Sequence, residues 1–557
     1  MREAFSSLKR NEIIANMQET EFDLLVIGGG ITGAGIALDA ASRGMKTALI
    51  EMQDFAAGTS SRSSKMVHGG LRYLKKYEVR IVAETGKERA IVYENGPHVT
   101  TPEWMILPIY KDADYGMLMT SIGLRAYDFL AGVKKKERNS MFKREAILEM
   151  EPKFKKEGLL GGGKFVEYRS DDARLTIEAM KEAVRFGAAV INYTKVTDFI
   201  YQDGKVTGVS AVDQLNGRVS EIRAKKIVNA AGPWVDTLRE KDHSLDDKKM
   251  HITKGVHLVF DQSVLPLKQS VYFDTPDGRM ILMIPRNGKT YVGTTDTEYK
   301  GDLTKPRMTK SDIEYILKTI RFIFPDTKLK ESDIESSWAG VRPLIHQEGK
   351  SASAISRKDE IWESPSGLIT IAGGKLTGYR KMAETIVDFV SAKFKQEYGI
   401  MFSACETKHM PISGGHVGGS KQFPSFIKEK VRLGADFGLD KEKAYSLVHK
   451  YGSNIDHLYH LIDQYKTEAE AYGMPVDLYA QVRYSIEAEL ACTPVDFFWR
   501  RTGTLLFDIQ WVKKWKEKVV QLMGALLHWN EEQKERFLLD LNQHLHHVTH
   551  PLDQESV

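Results

Sequence analysis

FDLLVIGGGITG, residues 22–33, runs an apolar strand straight into a Gly-x-Gly-x-x-Gly turn. In such a turn Gly28 takes the tight backbone bend, Gly30 leaves room for a pyrophosphate, and Gly33 lets the following helix pack close to the strand. The helix start then offers unpaired N–H groups to phosphates. ALDAASRGMKTALIE, residues 37–51, continues as a helix, a turn at Arg43-Gly44 and a second strand ending at Glu51. An acid at that point meets a ribose hydroxyl and disfavours a 2′-phosphate. The glycine string alone would also suit a ligand-free strand-to-helix turn; strand, helix, strand and acid in order make it a dinucleotide site. The motif does not separate NAD from FAD.

The 557 residues are 42% hydrophobic and 28% charged, with a formal net charge of +4. That length allows two or three domains with large cores, and the composition is that of a globular chain. The basic excess is too slight to argue for nucleic acid, though a local basic face can attract phosphorylated substrates or anionic lipid. Cys405 and Cys492 are the two cysteines. They stand far apart in no ligand spacing, so no disulfide framework or metal site is expected and a reducing, intracellular setting fits. The N-terminus lacks the apolar core of a secretory signal, and no segment gives the roughly 18 apolar residues of a spanning helix.

Phe5, Leu8, Ile13, Ile14 and Met17 recur at loosely helical spacing, which packs on the protein or lies on a membrane surface; packing is the expectation. A helix is predicted from near Val79. Thr101 to Val133 is rich in Met, Leu, Ile and aromatics but is broken by charges, and reads either as a buried helix beside the active site or as a membrane- or quinone-contacting surface. Lys134 to Lys136 is read as a solvated loop. Further on, a helix over Leu175 to Phe186 is followed by strands with turns at Asp203-Gly204 and Asn216-Gly217, and by β-rich segments at His251 to Phe260 and Met280 to Thr295. At Leu368 to Lys381 a strand breaks at paired glycines and passes into a helix reaching about Phe394, which returns the chain to the dinucleotide unit. Residues 405–557 carry long helical patterns and are expected to form a separate α-helical domain.

GTSSRSSKMVHGGLRYL, residues 58–74, is a Ser-rich loop placed to wrap a cofactor. Its hydroxyls and N–H groups donate to pyrophosphate and ring oxygens, and Lys65 and Arg72 supply positive charge. IVNAAGPWV, residues 227–235, ends a strand in small residues that let backbone approach a flat ring.

With AGGKLTGYRK (372–381), these segments resemble the FAD-dependent glycerol-3-phosphate dehydrogenases, within the D-amino-acid-oxidase-like flavoproteins. The likeness also rests on DDARL (171–175), KGVHLVF (254–260), VGTTDTEY (292–299), WAGVRPL (338–344), ISRKDE (355–360) and ELACTPVDFFWRRT (489–502). Gly378 departs from it, since the family more often has Thr there. The resemblance implies an α/β fold: a Rossmann-like FAD-binding domain, a discontinuous β-rich substrate domain and a C-terminal all-α domain. Within 1–404, FAD-binding segments at about 22–100, 170–240 and 340–395 would alternate with a cap at about 101–169 and 241–339.

As FAD contacts it implies Gly28, Gly30, Gly33 and Glu51; Thr59, Ser60, Ser63, Lys65, His68, Gly70 and Leu71; Ala231, Gly232 and Trp234; and Gly373, Gly374, Lys375 and Thr377. The implied substrate is sn-glycerol 3-phosphate. Arg342, Arg357 and Lys375 would hold its phosphate, with Arg72 and His257 also lining its site. His257 is favoured as the proton acceptor for the C2 hydroxyl, with Arg342 stabilising the alkoxide, and His68 is the competing base. Electrons would pass to a membrane quinone, placing the protein in the cytoplasm against the inner face of the membrane. Molecular oxygen is the other acceptor, as in glycerophosphate oxidases, but the mid-chain insertion those tend to carry is not seen. An oxidase of another small amino or hydroxy acid, and a flavoprotein whose FAD is structural, are the remaining rivals. The helical tail is a candidate dimer surface, membrane platform or lid, and a homodimer is left open.

Overall fold

Glu21–Ile27 is a strand whose last four residues are buried, and it pairs in parallel with Thr47–Ile50 on one side and Val219–Asn229 on the other. The computed structural model describes residues 5–69, 79–112, 115–246, 248–346 and 359–552. Ala189–Ile191 and Leu368–Ala372 extend the parallel sheet at its two ends. Antiparallel Glu360–Glu363 borders Leu368–Ala372, and the hairpin Thr194–Gln202/Lys205–Asp213 joins the first half of Val219–Asn229, giving eight strands. The central strands read as unbroken apolar runs because helices cover them. Helix Ile31–Ser42 is buried along nearly all its length and packs against both Asp172–Arg185 and Tyr379–Tyr398.

The second sheet has ten strands, mostly antiparallel. Ile334–Ile345 pairs with Met250–Asp261, whose other side takes Lys289–Gly293 and Thr297–Glu298; Met280–Arg286, Ser270–Asp274, Thr100–Tyr110 and Leu159–Ser170 follow. Met66–Val67 and Ser140–Lys143 finish it. Ile334–Ile345 is continuous through position 340, where the sequence reading drew a segment boundary.

From Gly419 onward the described elements are helices. They pack on the second sheet: Phe497, Phe498, Trp499 and Leu505 share one apolar core with its Met66, Met105, Tyr291 and Trp338. The N-terminal helix Arg10–Glu19 packs through Ile13 and Met17, and Arg10 pairs with Asp213 at 3.1 Å. Thr101 to Val133 is not a buried helix. It is strand Thr100–Tyr110, from its second residue on, followed by helix Met117–Leu130, where Leu118, Met119, Ile122 and Phe129 are exposed. No helix among the described residues is long and apolar enough to cross a membrane.

Candidate active site

A cavity of about 410 Å³ opens where the two sheets meet. At one end lies the glycine turn. Gly28 holds φ +117°, and a Cβ there would stand 2.6 Å from the Ala230 carbonyl oxygen; a Cβ on Gly33 would overlap the carbonyl oxygen of Gly28. Gly30 starts helix Ile31–Ser42 without a side-chain cap, and Ser60 Oγ accepts from the Ile31 N–H at 2.9 Å. The helix N-terminus therefore faces the cavity as a donor surface suited to phosphate. Glu51 sits beside it, its carboxylate accepting from the N–H groups of Gly29 at 2.6 Å and Gln53 at 2.8 Å. Burial pushes its carboxyl up, and the two backbone donors oppose the shift. Both oxygens keep lone pairs for a ribose hydroxyl.

At the other end, His257 and Arg342 come from the paired strands Met250–Asp261 and Ile334–Ile345. The Arg342 guanidinium donates to Asp296 Oδ1 and Thr294 Oγ1, both at 3.1 Å. It lies across Gly255, where a Cβ would overlap it. His257 is buried, and burial followed by the charges of Arg342 and Lys65 holds its ring well below the ordinary imidazole range. The ring is neutral at neutral pH, so it has a lone pair to offer. Gly373 and Gly374 adopt φ +81°, turning the chain from strand Leu368–Ala372 into the cavity wall at Lys375. Thr377 links that wall to the serine loop: its hydroxyl accepts from the His68 N–H at 3.1 Å and donates to the His68 carbonyl at 3.0 Å.

The family model for FAD-dependent oxidoreductases matches residues 23–380, and that for the C-terminal domain of alpha-glycerophosphate oxidase matches 405–534. The aerobic glycerol-3-phosphate dehydrogenase of Bacillus subtilis is 60% identical over the whole of both chains, and that of Staphylococcus haemolyticus 55%. The X-ray structure of the glycerol-3-phosphate dehydrogenase from Bacillus halodurans complexed with FAD is 50% identical, covers 99% of each chain and gives a TM-score of 0.86. The chain belongs to the FAD-dependent glycerol-3-phosphate dehydrogenase family. An L-alpha-glycerophosphate oxidase from Mycoplasma pneumoniae, 19% identical over 70% of this chain with a TM-score of 0.55, shares the fold.

As a member of the glycerol-3-phosphate dehydrogenase family the chain takes FAD, and the residues present fit it: Gly28 and Gly33 leave no room for a Cβ, Gly30, Ile31 and Thr32 at the helix start line the cavity, and Glu51 stands at the end of the second strand. Of the residues expected at the site, Gly28, Gly30, Glu51, Thr59, Ser60, Ser63, His68, Ala231, Gly232, Trp234, His257, Arg342, Gly373, Gly374, Lys375 and Thr377 all line the one cavity. Gly33 and Lys65 do not. Gly33 acts through packing, as its place in the motif requires. Lys65 is buried in an ion pair with Asp172 at 2.8 Å and also donates to the Ser61 carbonyl at 3.0 Å, so its charge holds the loop rather than facing a pyrophosphate. Gly70, Leu71, Arg72 and Arg357 lie outside the described residues. Sequence reasoning passed over Asp172, which also takes the Ser63 hydroxyl at 2.7 Å, and Trp338, on which His257 stacks. Their motifs were in view, but only the fold pairs residues so far apart.

Proposed function

We propose that this chain oxidises sn-glycerol 3-phosphate to dihydroxyacetone phosphate and passes the electrons to a membrane quinone. The observation that carries the reading is the meeting of a buried imidazole, His257, and a guanidinium, Arg342, in the same cavity as a complete dinucleotide turn. Bound FAD supplies the hydride acceptor. The chain supplies the rest: Arg342 is a fork suited to phosphate or alkoxide oxygen, Lys375, which lines the same cavity, adds a second cation, and His257 is the sink for the hydroxyl proton. The full-length likeness to aerobic glycerol-3-phosphate dehydrogenases supports the substrate.

Helix Met117–Leu130 supports the quinone and the membrane. Phe129 is 86% and Leu118 74% exposed, with Met119 and Ile122 beside them on the surface. Lys134, Lys135, Lys136 and Arg138 follow, also exposed. An apolar face with a basic flank is how a protein without a spanning helix lies on an anionic bilayer. Two unpaired cysteines agree with a cytoplasmic position on the inner face.

The test is anaerobic mixing of the FAD-loaded protein with sn-glycerol 3-phosphate while following flavin absorbance at about 450 nm. Rapid bleaching is expected, followed by reoxidation by a quinone analogue faster than by oxygen. A fully loaded, folded protein that does not bleach overturns the substrate; reoxidation by oxygen alone overturns the quinone.

A further inference from the structure

His257 does not meet the cavity with a bare nitrogen. Its Nδ1 is sealed from solvent and has no hydrogen-bond partner among the described residues, while its Nε2 lies 2.9 Å from the hydroxyl of Ser64. Ser64 in turn lines the cavity. Whatever proton reaches the imidazole from substrate therefore has a hydroxyl in its way.

Both members of this pair are fixed by their surroundings. The His257 ring stacks on Trp338 with centroids 4.6 Å apart and planes 8° apart. Its edge fills the space that a Cβ on Gly293 would occupy. On the other side, Ser64 is pinned from both flanks. The Trp338 indole donates to the Ser63 carbonyl at 3.0 Å, and the Tyr291 hydroxyl donates to the Ser64 carbonyl at 3.2 Å. Ser63 is tied to Asp172 through its hydroxyl, and Lys65, at φ +53°, is tied to the same carboxylate. These contacts fix the backbone on either side of Ser64, and the side-chain bond of its hydroxyl is the one to His257 Nε2. Positioning of that kind is what a proton transfer in the transition state requires.

We propose that Ser64 is a catalytic proton relay, its hydroxyl taking the proton of the substrate C2 alcohol as its own proton passes to His257 Nε2. This rests on the function proposed above. The step balances: the C2 hydrogen leaves with its electron pair as a hydride to the cofactor, the alcohol carbon is oxidised to a ketone, the alcohol proton ends on the imidazole by way of Ser64, and Ser64 is left unchanged. The relay needs the neutral tautomer with hydrogen on Nδ1 and a lone pair on Nε2. Among the described residues the charged groups acting on the ring are Arg342 and Lys65, and the Tyr291 ring centroid stands 6.4 Å from that of His257. The two cations favour the neutral ring before the reaction and drive the proton off after it.

Three measurements test this. Ser64→Ala is expected to slow flavin reduction by about 10²-fold or more while FAD content stays near wild type, and Ser64→Thr, which keeps the hydroxyl, recovers most of that loss. Because the two residues act as one unit, Ser64→Ala with His257→Ala together reduce flavin no more slowly than the slower single variant. Independently of turnover, long-range ¹H–¹⁵N correlation of the FAD-loaded wild type, with the signal assigned by its loss in His257→Gln, shows an unprotonated Nε2. A hydrogen on Nε2, or wild-type reduction rates in Ser64→Ala, overturns the relay. If Ser64→Ala does not load FAD, the tautomer measurement decides. Absence of bleaching in the wild type overturns the substrate reading instead, whereas a wild type that bleaches and a Ser64→Ala that keeps pace overturn the relay alone.

Discussion

At the scale of single residues, charge and its partners decide the outcome. Arg342 has Asp296 and Thr294 at 3.1 Å and the Thr295 carbonyl at 3.5 Å, which fix the guanidinium at the cavity wall. Arg342→Ala removes hydrogen bonds to a charged ligand worth ~1.5–3 kcal/mol each, so KM for sn-glycerol 3-phosphate rises by about 10–100-fold or more while FAD stays bound. Steady-state kinetics beside flavin content checks it; unchanged KM would remove Arg342 from the phosphate or alkoxide role. Glu51 belongs to the opposite end of the cavity. Glu51→Ala frees the N–H groups of Gly29 and Gln53 and takes away a ribose acceptor, so FAD is lost on dialysis while KM for substrate is little changed in molecules that keep it. The residues of the glycine turn were legible because their job is local: backbone shape within a dozen positions. Lys65 and Ser64 were not. The sequence shows four serines and the cations Arg62, Lys65 and Arg72 in one loop, but which cation meets Asp172, 107 positions from Lys65, and which serine meets His257, 193 positions from Ser64, is set by tertiary pairing.

At the scale of elements, the apolar composition of Thr101 to Val133 did not tell strand from helix, nor which face of helix Met117–Leu130 finds a partner. One face does. Leu124 packs over Gly163, and Tyr127 donates to Glu167 at 2.7 Å beside Arg89. The other face keeps Leu118, Met119, Ile122 and Phe129 in solvent, which no hydropathy pattern distinguishes from a second buried face. Ile122→Glu with Phe129→Glu is therefore expected to leave the melting temperature within a degree or two and to abolish cosedimentation with anionic vesicles; undiminished cosedimentation would move the membrane surface elsewhere. The next contact along is less forgiving. A Cβ on Gly86, in helix Val79–Asn95, would overlap both Cα and Cβ of Ala131 at the end of Met117–Leu130. Gly→Ala inside a helix ordinarily gains up to ~1 kcal/mol, but overpacking against backbone costs ~1–3 kcal/mol, so Gly86→Ala is destabilising on balance. A raised melting temperature in that variant would show that the two helices can part without loss.

At the scale of the whole molecule, the helical tail is bound to the nucleotide region by buried polar seams rather than by a linker. Asp54, three residues past Glu51, accepts from Arg501 at 2.6 and 2.9 Å, from Arg500, and from Asn192 at 2.9 Å. A second seam holds His98 against Gly414 and Gly452, with both ring nitrogens sealed and lacking partners among the described residues. Burial, then Arg174, His449 and Lys181, hold His98 well below the ordinary imidazole range, against which Asp171 acts in the other sense. His257, His449 and His547 are depressed as well, the last to about 4. The sign follows from proton counting. Below pH ~6.5 the unfolded chain takes up protons that these folded imidazoles refuse, so stability is present above ~6.5 and is lost as pH falls, by up to ~1.4 kcal/mol per pH unit for each histidine until its folded value is reached. Acidification from pH 7 to 5 is thus expected to lower the melting temperature, and His98→Gln, which cannot titrate, flattens that slope by one histidine's share without altering substrate KM. An unchanged slope would mean that His98 takes up its proton in the folded protein as readily as in the unfolded chain, with Asp171 outweighing burial and the charges of Arg174 and Lys181.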